Sequence, residues 1–578
     1  MIDPSAITPA LLPARAVHKP VGIAKGPGES IHEYTFVSRD DAHELKNGEY
    51  VYYELPDPSA TENGRSPALR LVLGRVLKRV PLQLYPDTFL GEPEIPPSQV
   101  AELVGYDARA NELFELHVGI MGYYEPATGS FINPWIPPQS GKQIFLADDD
   151  MLSRVLSGKR AGQPGSATIG SLLTREPEAV PVVLSVKDLV STHLAIIAST
   201  GAGKSYLASV IVEELMQPHN KACVLIIDPH GEYSTLDEMA NAPQFTQEGD
   251  GRGSSYQAQV KVYKPHEIKV RISTLEMGDM RHLLTEMTEK QQYLLNRALR
   301  KVKDSKKPMW GADDLKAAIR SVSKQKDNED GDGGDDASTI RGLEWRIEQR
   351  FEDSFTFDAT QHLDLPEIFK PGQCTVLPLN EIDERDQQVV VATLLRRLYK
   401  ARMDTERGKV TAGEYYLPYP VFVLLEEAHH FAPGGTDVVS TSILKQVLAE
   451  GRKFGIGVSL ISQRPGKLNA DVLSQCQTQC IMRIVNEIDQ KSVAAAIEGV
   501  GRDLLSNLPA LSKGQVIVAG AAVNTPVLCR VRSRITRHGG ESKDAPEMWQ
   551  QYFSAESQDS RRRIDAPLNG NREFRLLK

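Results

Sequence analysis

The sequence predicts an α/β chain built around a doubly wound, mostly parallel sheet, with a unit of short strands before it and a helical insertion within it. Three observations predict this. Short apolar runs alternate with helical stretches through most of the chain after Gly170, the pattern that builds parallel sheets. The segment His193–Leu215, HLAIIASTGAGKSYLASVIVEEL, reads as a strand that turns through a glycine loop into a helix. Before about residue 150, short apolar stretches separated by Gly, Pro and Asn show no helical period.

Those early stretches are EYTFVS, GEYVYYEL, LRLVLGRVLKRV and LFELHVGIMGYY, which fit a small barrel or a sandwich. Proline-rich pieces at Pro93–Pro97 and Asn133–Pro138 are expected as loops. The unit carries no acid–base or metal constellation, so it reads as an assembly or docking module. A loop over Ser157–Ser166, SGKRAGQPGS, leads into the next domain.

In Gly203, Lys204 and Ser205 the glycine loop carries the last positions of G-x-x-x-x-G-K-[ST], a motif whose backbone N–H groups close around phosphate oxygens. Lys204 is placed to reach the β and γ phosphates, and the Ser205 hydroxyl is placed on Mg²⁺. Thr200, Gly201, Ala202, Gly203, Lys204, Ser205 and Tyr206 are therefore the expected ATP-binding residues, at the positive end of a helix. Ala198 stands where the motif has its first glycine, which predicts a slightly constrained start to the loop.

Later strands are expected at ACVLIID, ending in Asp228 before PHGEYS, at Thr375–Leu379, Val421–Glu427, Gly457–Ser462 and Gln479–Ile484. Asp386–Met403 reads as a helix between them. The carboxyl ends of such strands are where open α/β sheets bind ligands. VFVLLEEAHHF supplies the acidic pair that ATP hydrolysis needs. Neighbouring residues on a strand point to opposite sides, so Glu426 is assigned to Mg²⁺ through its water shell and Glu427 to the attacking water. Glu426 occupies a position where aspartate is commoner. Gln463, at the end of the next strand, is expected to sense the γ-phosphate, and Arg452 to act as an arginine finger toward the next subunit. His429 and His430 lack further ligands and read as packing or loop residues.

The helical insertion spans 274–354 and is divided by the acidic segment DNEDGDGGDD, Asp327–Asp336, expected as a disordered loop. The basic pieces Arg300–Lys307 and Arg341–Arg350 beside it read as solvated helix faces, with phosphate contact as the alternative. After Thr536 the chain has too few apolar residues for its own core; it is expected to be disordered or to dock on another surface.

A hydrophobic fraction of 40%, a charged fraction of 25% and the absence of an apolar run of about 18 residues predict a globular, non-membrane protein. The N-terminus shows no signal-peptide pattern, which gives the cytoplasm as the default location. Five cysteines, scattered and odd in number, disfavour a disulfide framework. Cys476 and Cys480 are spaced to share a helix face but lack a second pair for zinc. The net charge of −9 excludes a surface that coats nucleic acid everywhere, though not a basic pore.

Taken in order, STGAGKS, IIDPHGEYS, LLEEAHHF, EGRKFGIGVSLISQRPGKLNADVLSQC and the late KGQVIVAG and RITRHGG resemble the HerA family, in the HerA/FtsK group of P-loop NTPases. The resemblance covers nearly the whole chain. It implies an N-terminal HAS β-barrel (1–157), a RecA-like core (167–273 and 355–535) interrupted by the insertion (274–354), and a C-terminal extension (536–578) that clasps the adjacent subunit. It implies a homohexamer that hydrolyses ATP with Mg²⁺ to translocate on, or unwind, double-stranded DNA held in a central pore, with Arg452 at a neighbour's ATP. It also implies a partner on the barrel face, either a NurA-like nuclease in DNA end processing or an effector enzyme in antiviral defence. The second reading is an ATPase scaffold that assembles and activates such a partner, with hydrolysis as a switch. A protein-moving secretion ATPase is weaker, since no membrane anchor is present.

Overall fold

A computed structural model describes most of residues 19–549. Residues 1–18, 28–30, 57–68, most of 83–112, 126–127, 249–254, 331–335, 497–501, 540–544 and 550–578 lie outside the described residues, as do a few isolated positions. Pro93–Pro97 and the later part of the C-terminal extension fall largely there.

Seven antiparallel strands come first: β1 Pro20–Pro27, β2 Glu33–Ser38, β3 Tyr50–Pro56, β4 Leu69–Pro81, β5 Phe114–Glu125, β6 Ser130–Ile132 and β7 Gln143–Leu146. Their order is β2-β1-β7-β3-β4-β5-β6, and β2 also pairs with β5. That extra pairing closes six strands into a barrel and settles barrel against sandwich. Alternate residues fill its interior, among them Tyr34 and Phe36, Val51 and Tyr53, Leu116 and Val118.

Helix α1, Asp149–Val155, is capped by the Asp148 carboxylate, which accepts from Met151 N–H. The second, larger unit follows: β8 Ser166–Leu172, β9 Pro181–Ser185, α2 Val186–Thr192, β10 Leu194–Ile197, α3 Lys204–Leu215, β11 Cys223–Asp228 and β12 Gln259–Val262. The insertion contributes α4 Met277–Leu283, α5 Glu289–Asp304, α6 Ala312–Asp330 and α7 Asp336–Phe351. Then come β13 Gln373–Pro378, α8 Glu384–Glu406, β14 Val421–Leu425, α9 Val439–Glu450, β15 Ile456–Ser462, α10 Ala470–Ser474, β16 Thr478–Ile481, β17 Gln515–Gly520 and β18 Val527–Val531.

These strands form one sheet in the order β12-β13-β11-β14-β15-β10-β16-β17-β18-β8-β9. From β12 to β16 every pairing is parallel; from β16 to β9 every pairing is antiparallel. The central strands are apolar on both faces, as a parallel sheet requires. Ala195 and Ile197 of β10, with Leu225 and Ile227 of β11, face the layer that holds the insertion and α8. Leu194, Ile196, Val224 and Ile226 face the layer that holds α3. Tyr50, Tyr52 and Leu73 of the barrel join this second layer, so barrel and sheet share one hydrophobic cluster. Each fully buried aliphatic side chain contributes about 1.5–3 kcal/mol, against about 0–1 kcal/mol for an exposed ion pair, so packing on the two faces decides the architecture.

The insertion helices form for local reasons. Thr288 and Gln291 make a reciprocal capping box at the start of α5, and Leu294, Leu295, Ala298, Leu299 and Val302 line its buried stripe. Part of the basic charge ties helices together: Arg346 donates to the carbonyls of Thr285 and Glu286, and Arg350 pairs with Asp386. The acidic segment is not loop throughout. Helix α6 runs on to Asp330 and α7 starts at Asp336. A helix already nucleated by packing at Leu315 and Ile319 gains one bond for each further residue it orders. Cys476 and Cys480 do not share a helix face, because α10 ends at Ser474 and Cys480 lies in β16; all five cysteines are free and buried.

The described start of the C-terminal extension lies along α3 of its own chain. Glu213, fully buried, accepts from the backbone N–H groups of Ile535 and Thr536 and pairs with Arg532 at 2.9 Å.

His193 joins three elements. Its Nε2–H donates to Leu448 O (2.9 Å) and its Nδ1 accepts from Val458 N–H (3.1 Å), tying the start of β10 to α9 and β15. Burial lowers its pKa from 6.5 to about 4. The unfolded chain therefore binds the extra proton between these values, and stability present above pH 6.5 is lost as pH falls toward 4. The contribution is about 3 kcal/mol at most. Urea midpoints measured from pH 7 to pH 4.5 are expected to fall more steeply for the wild-type chain than for His193→Gln; parallel curves would refute this.

Candidate active site

The site forms at the carboxyl edge of β11, β14, β15 and β10, where four chain segments turn away from the sheet. After β10 the loop reaches Gly203, whose φ of 106° is a left-handed conformation that favours glycine, and α3 begins at Lys204. No side chain caps this helix, so its first N–H groups point into the loop and are available to an anion. Ala198 fits without strain: it is buried and has negative φ, its N–H bonds to Ser462 O, and a β-carbon is tolerated there.

The two glutamates do not lie on opposite sides. Strand β14 ends at Leu425, and Glu427 takes a left-handed conformation (φ 47°, ψ 47°) that swings its carboxylate back. Lys204 Nζ consequently lies 3.1 Å from Glu426 Oε1 and 3.1 Å from Glu427 Oε1. Such a conformation costs a non-glycine residue about 1–3 kcal/mol and marks Glu427 as a residue held by its surroundings. Both carboxylates are buried. Burial raises the pKa of Glu426, against the lowering effect of Lys204. Burial works to lower the pKa of Lys204, but Glu426 and Glu427 outweigh it and the net shift is upward. The Glu427 oxygens are without hydrogen-bond geometry: Oε1 is ion-paired to Lys204, and Oε2 lies 3.2 Å from Nδ1 of His429, whose pKa burial lowers to about 4.

Around this pair the hydroxyl groups converge. Ser205 Oγ is 3.1 Å from Glu426 Oε1 and 2.5 Å from Glu232 Oε2, and Tyr233 Oη donates to Glu426 Oε1 at 3.1 Å. Gln463 reaches the loop from the end of β15, accepting from Thr200 Oγ1 at 2.8 Å. Ser462, its neighbour, meets His429 Nδ1 at 3.2 Å, so the histidine links the glutamate turn to β15. Asp228, expected to offer a carboxylate at this edge, is instead consumed by its own turn. It accepts from the N–H groups of His230, Gly231 and Tyr233, and burial raises its pKa.

Lys204, Ser205, Glu426, Glu427, Thr200 and Gln463 are thus brought together. Tyr206 turns the other way, its hydroxyl accepting from Arg534 N–H at 2.8 Å and its ring set edge-on to His538. Arg452 is exposed and precedes β15, at the amino edge of the sheet. The seven-residue strand to Ser462 separates it from its own phosphate loop by about 20 Å. Glu232 and Tyr233 were not singled out in the sequence, although both stand in the quoted PHGEYS turn.

The donor set suits Mg²⁺. A hydroxyl flanked by carboxylates offers hard oxygens, and no group of three or more His, Cys, Asp or Glu among the described residues forms a cage of its own. A site of this kind completes its octahedron with nucleotide phosphates and water.

Residues 167–398 match the family described as Helicase HerA, central domain. The DNA double-strand break repair helicase HerA of Pyrococcus furiosus is 30% identical over 459 residues, covering 72% of this chain and 78% of that one. The chain belongs to the HerA family. A probable helicase of Methanocaldococcus jannaschii is 29% identical across 89% of this chain and 96% of its own length. Among solved structures, VirB4 of Thermoanaerobacter pseudethanolicus is similar with a TM-score of 0.46 at 12% identity, covering 65% of this chain and 98% of that one. As a HerA-family member with this loop and acidic pair, the chain is a P-loop ATP hydrolase.

The hydroxyl of Tyr233 is a donor to a fully buried carboxylate. Tyr233→Phe is expected to cost about 1.5–3 kcal/mol of stability, the range for a hydrogen bond to a charged group. A thermal midpoint equal to that of wild type would show that Glu426 does not depend on it.

Proposed function

We propose that this chain is an ATP-driven motor on double-stranded DNA, a translocase and helicase of double-strand break repair that works as a homohexameric ring with ATP and Mg²⁺. The observation that carries this is the convergence of Lys204, Ser205, Glu426, Glu427 and Gln463 on an uncapped helix N-terminus. Family membership supplies the DNA track.

In this reading the α3 N–H groups and Lys204 hold the β and γ phosphates, and Thr200 to Ser205 shape the loop around them. Ser205 and Glu426 are the residues that would hold Mg²⁺ with the nucleotide, and the ion would offset the charge of the phosphates. The γ-phosphate competes for Lys204, which loosens the grip of the ammonium on Glu427. Glu427 then orients the attacking water and accepts its proton, while Gln463 reports the γ-phosphate to β15. Arg452, at the far edge of its own sheet, serves the neighbour's ATP in a head-to-tail ring.

In the same reading a partner, a NurA-like nuclease or a defence effector, docks on the barrel face, and exposed apolar side chains there support this. Trp135 (63% exposed), Ile136 (55%) and Ile31 (48%) lie around His32, whose ring meets Trp135 edge-on. No helix among the described residues is long and apolar enough to cross a membrane.

ATPase rate measured against double-stranded DNA at several salt concentrations tests the motor. Stimulation that falls as salt rises is expected, because phosphate contacts release counterions. A DNA-independent rate, with full partner activation by a Glu427→Gln ring, would favour the scaffold instead. Lys204→Ala should lower turnover by at least about 100-fold, and turnover at the normal rate would refute the site.

Rings mixed from Arg452→Ala and Glu427→Gln subunits should regain part of the lost activity. A fully formed mixed ring without recovery would rule out Arg452 acting across the interface.

A further inference from the structure

The turn after β11 brings a third carboxylate to the phosphate loop. We propose that Glu232 is a positioning residue for the metal that accompanies ATP, orienting, together with Glu426, the Ser205 hydroxyl and the water ligands of Mg²⁺. The proposal rests on the nucleotide site assigned above and adds a residue to it.

The geometry asks for a cation. Ser205 Oγ faces Glu232 Oε2 at 2.5 Å and Glu426 Oε1 at 3.1 Å, but a serine hydroxyl has one proton and can donate to only one of them. Glu426 Oε1 already receives Tyr233 Oη and Lys204 Nζ, so it is well compensated. Glu232 is not: in the described structure its carboxylate bonds to Ser205 alone, and a hydrated divalent ion beside the hydroxyl would supply the missing positive charge. Water ligands of Mg²⁺ are donors, and a carboxylate that only accepts is the matching group.

Glu232 is also held where such a role requires it. Asp228 accepts from the backbone on both sides of it, at Gly231 and at Tyr233, which fixes the direction of the turn. Tyr233 continues into the same site through Glu426. From the outside, Gly539 packs against the Glu232 carbonyl so closely that a β-carbon there would lie 2.6 Å from the oxygen. Thr235 Oγ1 donates to Arg537 O at 2.7 Å beside it. A surface glutamate free to rotate has no such scaffold. The carboxylate at this position is therefore part of the site, and the C-terminal segment is one of the walls that aims it.

The test compares wild type, Glu232→Gln and Glu232→Asp as full-length rings. For Glu232→Gln the Mg²⁺ concentration giving half-maximal turnover is expected to rise about 10- to 100-fold, the usual range for loss of an outer-sphere partner. ADP affinity in EDTA should stay within about twofold of wild type, since the phosphate loop is untouched. Glu232→Asp keeps the charge on a shorter arm and should fall between the two. Mn²⁺ in place of Mg²⁺ in the ADP complex gives a direct readout: its electron paramagnetic resonance linewidth should change in Glu232→Gln. An unchanged Mg²⁺ requirement with an unchanged Mn²⁺ spectrum would overturn the proposal while leaving the ATPase reading intact. A wild-type ring that does not turn over ATP would instead sink the functional reading, and the Mn²⁺ spectrum would still report on Glu232.

Discussion

A parallel sheet that is apolar on both faces must be covered twice, and everything else in this chain follows from that requirement. One face is covered by α3 and by the barrel, the other by α8 and the insertion. With both faces committed to packing, polar chemistry has only the strand ends to occupy. The carboxyl edge receives the phosphate loop, the glutamate turn and Gln463; the amino edge receives His193 and Arg452.

At the carboxyl edge the governing problem is charge burial. Two glutamates taken out of water cost several kcal/mol each unless they are paired. Lys204 serves both, and the left-handed turn at Glu427 makes this sharing possible. The Tyr233 hydroxyl and the Lys204 ammonium donate to Glu426, whereas Glu427 has the Lys204 ion pair without a hydrogen bond of its own. That asymmetry suits one carboxylate to a fixed task and the other to a task that changes during turnover.

The C-terminal segment extends the same logic outward. Glu213 of α3 is buried because Arg532, Ile535 and Thr536 satisfy it, so the helix that bears the phosphate loop is braced by residues more than three hundred positions later. Tyr206, next to Ser205, contacts the same segment through Arg534 and His538. The loop, its helix and the C-terminal segment therefore form one mechanical unit.

Much of this was legible in the sequence because it is written in local patterns. Apolar runs located β10, β11 and β13 to β16 but not the half-exposed β12, and the glycine spacing located the phosphate loop, since a tight loop needs positive φ at Gly201 and Gly203. Chain order and local pattern could not say that β2 pairs with β5, that Asp228 spends its oxygens on its own turn, or that Glu427 turns back toward Lys204. Barrel closure is a pairing between strands remote in sequence, and the backbone angle at Glu427 is imposed by the packing around it. By itself the sequence determined the fold class, the nucleotide loop and the acidic pair. Tertiary structure alone decided which carboxylates meet Ser205, because Glu232 and Glu426 are 194 residues apart and become neighbours only when β11 and β14 lie side by side.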